Sequence, residues 1–311
     1  MRDTLLQYVF KINVHTPSAS PDTSYIRNIL AVVKPLSEDT PAQITRCISE
    51  AEISALTNNQ EAAQMIKGGK SYVYVLPTQT LDIADILDKA DYRFFTIFAG
   101  SEFDDEDWAG KNFGSFDGVL ARAFSDREQA KKFSAVKNQC GFFANKDNGG
   151  KNAAFAFGAL LGGAKWSNCQ YIDMPLSDGV KDIGTAESLF EDRVSFVLTS
   201  PEYANCLAFF AAGKQAITAP YITEEIRTRQ QGKALNWIRT NNPDYTLVNA
   251  KLLEKCLQKE LDDNYVNTGL VESAKISVVL SGDNFLATGN IAIAEPKALW
   301  RLQGNLTQEA N

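Results

Sequence analysis

His15 is the single histidine of this 311-residue chain, and histidine is the side chain whose ordinary pKa suits acid–base work at neutral pH. It stands beside Thr16-Pro17, a strand-breaking segment. Ser-His-Asp and Cys-His chemistry needs its base on a rigid element beside the nucleophile, so His15 reads as a solvated link residue. The run Glu102-Phe103-Asp104-Asp105-Glu106-Asp107 offers the clustered oxygens that a hard cation takes, but it lacks the glycine and the terminal glutamate of an EF-hand loop. A solvated acidic loop, or one that meets a basic patch on a neighbouring subunit, is expected there. Gly158, Gly162 and Gly163 lie inside or at the end of a helix and not in the turn before one, so close helix packing explains them better than a phosphate cradle. Gly149-Gly150-Lys151 alone is a weak signal. Asp173, Asp178, Asp182, Glu187, Glu191 and Asp192 supply carboxylates in number, yet a glycosidase-like pair must converge on one cleft, and loop carboxylates usually face water. The expectation is no catalytic site, no cofactor and no metal.

The basic residues are more suggestive. Lys251, Lys255 and Lys259 recur every four positions, which places them on one face of a helix that also carries Leu252, Leu253, Leu257 and Leu261. With Glu254 and Glu260 nearby, one reading is a solvated face, and the other is a basic rail for an acidic partner surface. Arg227 and Arg229, with Lys233 and Arg239, compete for the same role.

Positioning elements can be read around these residues. Tyr8-Val9-Phe10-Lys11-Ile12-Asn13-Val14 alternates as a strand, followed by the breaker Thr16 to Asp22. Helices are expected over 44–55 and 59–66, the second closed by Gly68-Gly69 in a left-handed cap. Strands follow at Tyr72 to Leu76 and Phe94 to Phe98, with a short helix from Leu81 to Lys89 between them. Phe94 to Phe98 is apolar on both faces, as in a strand covered on two sides. Further elements are a polar helix at 125–133, a strand at 194–198 and a helix at 201–213. Beyond Pro220 come two helices, and then strand-like runs at Ile276 to Leu280 and Ile291 to Ala294. This alternation argues for an α/β (α+β mixed) fold, a layered sheet with helices. The final strand is expected to be free to pair with something else.

Bulk properties fit. Apolar residues make up 44% and charged residues 22% of the chain, and the formal net charge is -7. That balance disfavours general nucleic-acid binding. The five cysteines, Cys47, Cys140, Cys169, Cys206 and Cys256, form no C-x-x-C pair and read as free thiols of a reducing cytoplasm. No apolar run spans a bilayer, and Met1 to Leu5 does not begin a signal peptide, so neither a membrane nor secretion is expected.

The later part of the chain resembles the contractile-tail sheath subunits of contractile phages and R-type bacteriocin particles. The resemblance rests on Ala211-Ala212-Gly213, Ala219-Pro220-Tyr221-Ile222, Asn249-Ala250-Lys251-Leu252-Leu253, Gly269-Leu270, and the final strand with Pro296 and Trp300. Earlier, Ala62-Ala63 through Gly68-Gly69-Lys70-Ser71-Tyr72-Val73-Tyr74-Val75 and Phe94 to Phe98 are similar to the helix, glycine turn and strands of those proteins. The likeness lies in element order and loose patterns, and the chain is short for the family.

The resemblance implies a helical homo-polymer around a tail tube protein, bounded by baseplate and tail terminator proteins, made in a host cytoplasm and carried in the virion tail. It implies an N-terminal strand arm and linker over 1–22, a middle region over 23–190, and a sheath-like core over 191–311. A C-terminal arm would run from about 287 to 303. Arm strands would be exchanged with neighbouring subunits through Tyr8, Phe10, Ile12, Val14, Ile291, Ile293 and Trp300, with hinges at Thr16 to Asp22, Gly282-Asp283-Asn284 and Gly289-Asn290. Lys251, Lys255, Lys259, Arg227 and Arg229 are candidates to face the tube. Alternatives are a tube or baseplate protein, or an α/β enzyme with an unrecognised site.

Overall fold

The computed structural model describes residues 5–14, 23–90, 94–104, 108, 116–143, 149–163, 166, 171–172, 179–199, 206–209, 211–212, 215–281 and 284–294. The chain forms two compact units. One takes the chain up to Ser24 and then Ala219–Pro296, and the other takes Tyr25–Thr218. The boundary expected at 190/191 falls inside the second of these, where Ser195 is tied by its backbone to Gly141 and Phe143 at 2.9 and 2.8 Å.

The smaller unit begins with strand β1 (Leu5–Val14). The larger unit then opens with β2 (Ile29–Val33), β3 (Thr45–Cys47), helices α1 (Glu50–Ser54) and α2 (Glu61–Lys67), β4 (Val73–Pro77), α3 (Ile83–Ala90) and β5 (Thr96–Ala99). Next come β6 (Val119–Phe124), α4 (Arg127–Ser134), β7 (Gln139–Phe143) and α5 (Gly149–Gly162). It ends with β8 (Tyr171–Ile172), α6 (Ile183–Glu191), β9 (Phe196–Leu198), β10 (Cys206–Phe209), β11 (Ala211–Ala212) and β12 (Gln215–Ala216). Its main sheet has the order β3-β4-β2-β5-β6-β7, parallel except for β3. Every residue of β2, β5 and β6 is buried, as strands covered on both faces must be. The chain moves from β2 outward to β4, then crosses back to β5 on the other side of β2. That reversal is the topological switch of a doubly wound sheet.

Two expected helices are not there. Residues 44–55 are divided between β3 and a short α1, because Thr45 to Cys47 pair with β4 and Ser49 caps the helix by accepting the Glu52 N–H. Residues 206–209 and 211–212, expected to lie in the helix 201–213, are the strands β10 and β11. β10 is paired on both sides, by β8 and β9. A short apolar run serves a buried helix or a strand equally well, and pairing decides between them. The glycine cap was read correctly: Gly69 takes φ +125, and the Lys70 N–H reaches back to Met65 O at 3.1 Å.

Aromatic side chains hold the core. Phe98 meets Phe157 edge-on at 5.9 Å, and Trp108 stacks on Phe133 at 6.4 Å while its indole N–H donates to Leu81 O. Helices α2 and α5 touch backbone to backbone. A Cβ on Gly158 would lie 2.2 Å from Met65 O, and one on Gly162 would lie 2.3 Å from Gly69 O. The two glycines are one helical repeat apart, so they clear a single face of α5.

The smaller unit continues with α7 (Thr218–Asn241), α8 (Leu247–Leu261), a π turn at Asp262–Val266, β13 (Ser273–Leu280) and β14 (Phe285–Ala294). Thr246 caps α8 by accepting the Asn249 N–H. Ala250, Leu253, Leu257 and Leu261 form its buried stripe. Phe285, fully buried at the start of β14, lies against Trp237 of α7 and Tyr245.

Gly158→Ala is expected to destabilise the larger unit by about 1–3 kcal/mol, since the clash with Met65 outweighs the gain of roughly 1 kcal/mol in helix propensity. Urea unfolding followed by tryptophan fluorescence measures it, and an unchanged or raised midpoint would contradict the close α2–α5 contact.

Candidate assembly interface

The smaller unit carries a three-stranded antiparallel sheet in the order β1-β14-β13. β14 is therefore the central strand, not a free arm. Residues 287–294 of the expected C-terminal arm lie within it, because both of its edges are occupied: Ala287 is opposite Ile12 on one side and Val278 on the other. The expected hinge at Gly289-Asn290 is corrected for the same reason, as Gly289 is held between Phe10 and Ile276. Asn284 belongs to the β13–β14 hairpin, where its carbonyl accepts the Ser281 N–H at 2.9 Å.

The period of two aligns the exchange residues named from the sequence. Tyr8 is paired with Ile291, Phe10 with Gly289, Ile12 with Ala287 and Val14 with Phe285, and Leu6 is paired with Ile293. These rows continue into Ala274, Ile276, Val278 and Leu280 of β13. Ile12, Ala287, Ile291, Ile293, Ile276 and Val278 are all buried. Tyr8, Phe10, Ile12, Val14, Ile291 and Ile293 thus occupy one register set of one sheet, within a single chain. Trp300 and His15 lie outside the described residues, as do the link residues 16–22.

Helix α8 presents a second surface. Lys251, Lys255 and Lys259 are exposed on its outer side, and Leu247, Val248 and Leu252 are exposed with them at 73, 70 and 49%. Lys251 is ion-paired with Glu254 at 2.9 Å. Arg227 and Arg229 lie on α7, each paired within that helix, to Glu224 and Glu225 respectively. Two residues apart, they point about 200° away from each other around the helix axis. The structure therefore gathers the three lysines and the apolar trio on one face and does not bring both arginines to any single face.

In the larger unit, the acidic candidates have structural partners. Asp182 caps α6 by accepting the Thr185 N–H and hydroxyl, and Asp192 pairs with Arg127 and Lys131 at 3.0 and 2.8 Å. Asp173 and Asp178 lie outside the described residues. Glu102 departs from its expected solvation. It turns inward beyond β5, where its carboxylate accepts the Lys34 N–H and the Asn59 side-chain amide. The same Asn59 amide reaches Glu61, whose carboxylate also accepts the Ser101 N–H and hydroxyl. Buried Arg122 lends Glu61 a favourable field and donates to Phe103 O.

This cluster sits outside the carboxyl ends of β2 and β5, the crevice where doubly wound sheets hold ligands. Here it is filled by the protein's own hydrogen-bonded side chains. Among the described residues there is no group of three metal-ligating side chains. The thiols of Cys47 and Cys140 are pushed up to about 11 and about 12, mainly by burial, which leaves them poor nucleophiles. The signal missed in the sequence was the composition around Glu102. Phe103, which follows it, and Trp108 at the far end of the run are both buried.

Burial, and next the charge of Glu61, push Glu102 up to about 7, and burial also raises Glu61. A carboxyl whose folded pKa is raised lends stability that is full below its unfolded value of 4.5 and is lost as the pH rises through about 7. The unfolding midpoint of the larger unit is expected to fall by several degrees between pH 5 and 8, on the order of 2–4 °C per kcal/mol. In Glu102→Met the slope flattens, so the deficit of the variant narrows as the pH rises. Calorimetry at four pH values checks this, and parallel slopes would refute it.

Comparison with known proteins gives a fold and no sequence relative. No family model and no curated protein matches the sequence. Among solved structures, the chain is similar to the contracted helical sheath of the anti-feeding prophage, determined by cryo-electron microscopy. The TM-score is 0.61 at 11% identity, covering 92% of this chain and 93% of that one. The chain has the fold of a contractile sheath protein.

Proposed function

We propose that this chain is a structural, non-enzymatic subunit of a contractile tail sheath, a helical polymer of itself around a tail tube. The observation that carries this reading is the agreement of its fold with a helical sheath protein over nearly the whole chain, together with a sheet built from strands near both chain ends. A strand joined to the rest of the protein through the eight residues 15–22, two of them proline, is suited to exchange. β1 of one copy takes the place of β1 on β14 of the next, and the same register of bonds is remade between molecules. Such a contact is heterologous, so it propagates as an open helical row and does not close into a dimer.

On this reading the outer face of α8, with Lys251, Lys255 and Lys259 around Leu247, Val248 and Leu252, meets the tube. Baseplate and terminator proteins bound the polymer, and the site of synthesis is the host cytoplasm, with the product in the tail of a phage or a phage-like particle. Contraction drives the tube through a cell envelope. It needs no nucleotide if the contracted lattice buries more apolar surface, since a few hundred Å² per subunit at ~25 cal/mol per Å² gives several kcal/mol. The subunits move as near-rigid bodies hinged at 16–22.

Electron microscopy of the purified chain is expected to show tubes or stacked rings. Deletion of residues 1–16 is expected to leave the larger unit folded and to abolish tube formation, and normal tubes from the truncated chain would defeat the exchange reading. Charge reversal of Lys255 and Lys259 to Glu is expected to leave self-assembly intact while abolishing co-sedimentation with the tube protein.

A further inference from the structure

The two edges of the β1-β14-β13 sheet differ. Strand β13 is paired on one side by β14, and its other edge is met by side chains of α8. The carboxylate of Glu254 accepts the Val278 N–H at 2.8 Å. The side-chain amide of Gln258 accepts the Ile276 N–H at 3.0 Å and donates to Ala274 O at 3.0 Å. Ala274, Ile276 and Val278 are alternate residues, and in an antiparallel pair alternate residues turn their backbone groups away from the partner strand. These are therefore the groups an incoming strand would use.

The geometry is commensurate. Residues four apart on a helix are separated by about 6 Å along its axis, and residues two apart on a strand by about 6.7 Å. Glu254 and Gln258 can thus address successive outward positions of a strand running beside α8. Lys251 holds the Glu254 carboxylate from its other oxygen, and this bond, with that from Val278, keeps the acid below its usual range and ionised. Gln258 is fixed in turn by Asp262 at 2.9 Å. No strand pairs with the outer edge of β1 among the described residues.

We propose that α8 seals the β13 edge through Glu254 and Gln258, so that a strand of a second copy enters this sheet only on the β14 side. The occupant is β1 of that second copy, for which the β14 register is already written in the chain. This rests on the strand-exchange reading above and adds a direction to it. With one edge sealed, pairing of β13 edges between molecules, the usual route of edge-strand aggregation, is excluded. Each sheet then takes one β1 beside β14, and each chain donates one.

The test uses the full-length chain and two substituted forms, E254A/Q258A and the conservative E254Q, which keeps an acceptor for Val278. Hydrogen exchange is read at individual amides. In the double variant, Ile276 and Val278 are expected to exchange roughly tenfold faster or more, while buried amides of β2 and β5 stay protected and report that the chain is folded. E254Q is expected to keep Val278 protected. Electron microscopy gives the second readout: uniform rows or tubes for the parent and E254Q, and irregular, laterally fused aggregates for the double variant.

Unchanged protection of Ile276 and Val278 in the double variant would overturn the seal. Faster exchange with assemblies identical to the parent's would overturn its role in direction. If the parent itself forms no polymer, the strand-exchange reading fails separately, and the amide rates still decide whether the edge is closed. A double variant that fails to fold shifts the decision to the single variants E254A and Q258A, in which Val278 and Ile276 respectively are expected to lose protection, and unaltered exchange of both amides would also overturn the seal.

Discussion

A strand buried in a sheet must satisfy the backbone groups on both of its edges, and that requirement falls on β14. Its residues Phe285, Ala287, Ile291 and Ile293 are buried in the completed sheet. On one side β13 precedes it by only a few residues of sequence and is always at hand. On the other side the neighbour is β1, which is separated from β14 by nearly the whole sequence. The sheet thus requires a β1 strand, but it does not specify whose. Exchange between copies remakes the same bonds, so its free-energy cost is confined to the conformation of the link and to the concentration of partners. A polymer supplies the second factor through a high local concentration of neighbours.

The larger unit is organised around a cluster of hydrogen-bonded polar side chains at one end of its main sheet. Its doubly wound sheet provides a crevice at the β2/β5 switch, and in this chain the crevice is closed by Glu61, Glu102, Asn59 and Ser101 bonded to one another. Burial raises both carboxyls, and their bonds to Lys34 N–H, Asn59 and Ser101 tie the segments after β2 and β5 to the start of α2. The backbone contact of α2 with α5 at Gly158 and Gly162 stiffens the same unit from one of its sides.

The sequence made the strongly periodic elements legible. Alternation located β1, apolar runs located β4, β5 and β9, and the leucine repeat with its lysines located α8 with the correct outward face. Tyr8, Phe10, Ile12, Val14, Ile291 and Ile293, which only the family resemblance singles out in the sequence, fall into one set of rows through the pairing of β1 with β14. What the sequence hid depends on partners far away in the chain. β3 is a strand only because the edge of β4 accepts it, and Glu102 turns inward beside Phe103, whose side chain is buried. Glu254 resembled a counter-charge for the neighbouring lysines, yet its second oxygen serves an amide 24 residues on. Gly289-Asn290 has the composition of a hinge, and only pairing on both sides makes it part of a strand.

Helix α8 joins these themes, because it carries three kinds of residue at helical spacing. Ala250, Leu253, Leu257 and Leu261 anchor it in the smaller unit. Glu254 and Gln258, along one flank, are bonded to β13. Lys251, Lys255 and Lys259 stand outward, and Lys251 is bonded to Glu254 itself. A load applied to the lysine face therefore passes within one or two residues to the edge of the sheet, without a flexible loop between. On the proposed reading the lysines are the grip on the tube and the sheet is the joint between subunits. Grip and joint are then two sides of one fifteen-residue helix. Rigid coupling of this kind is what a contracting lattice requires, since motion absorbed by a soft connection between joint and grip would not reach the tube.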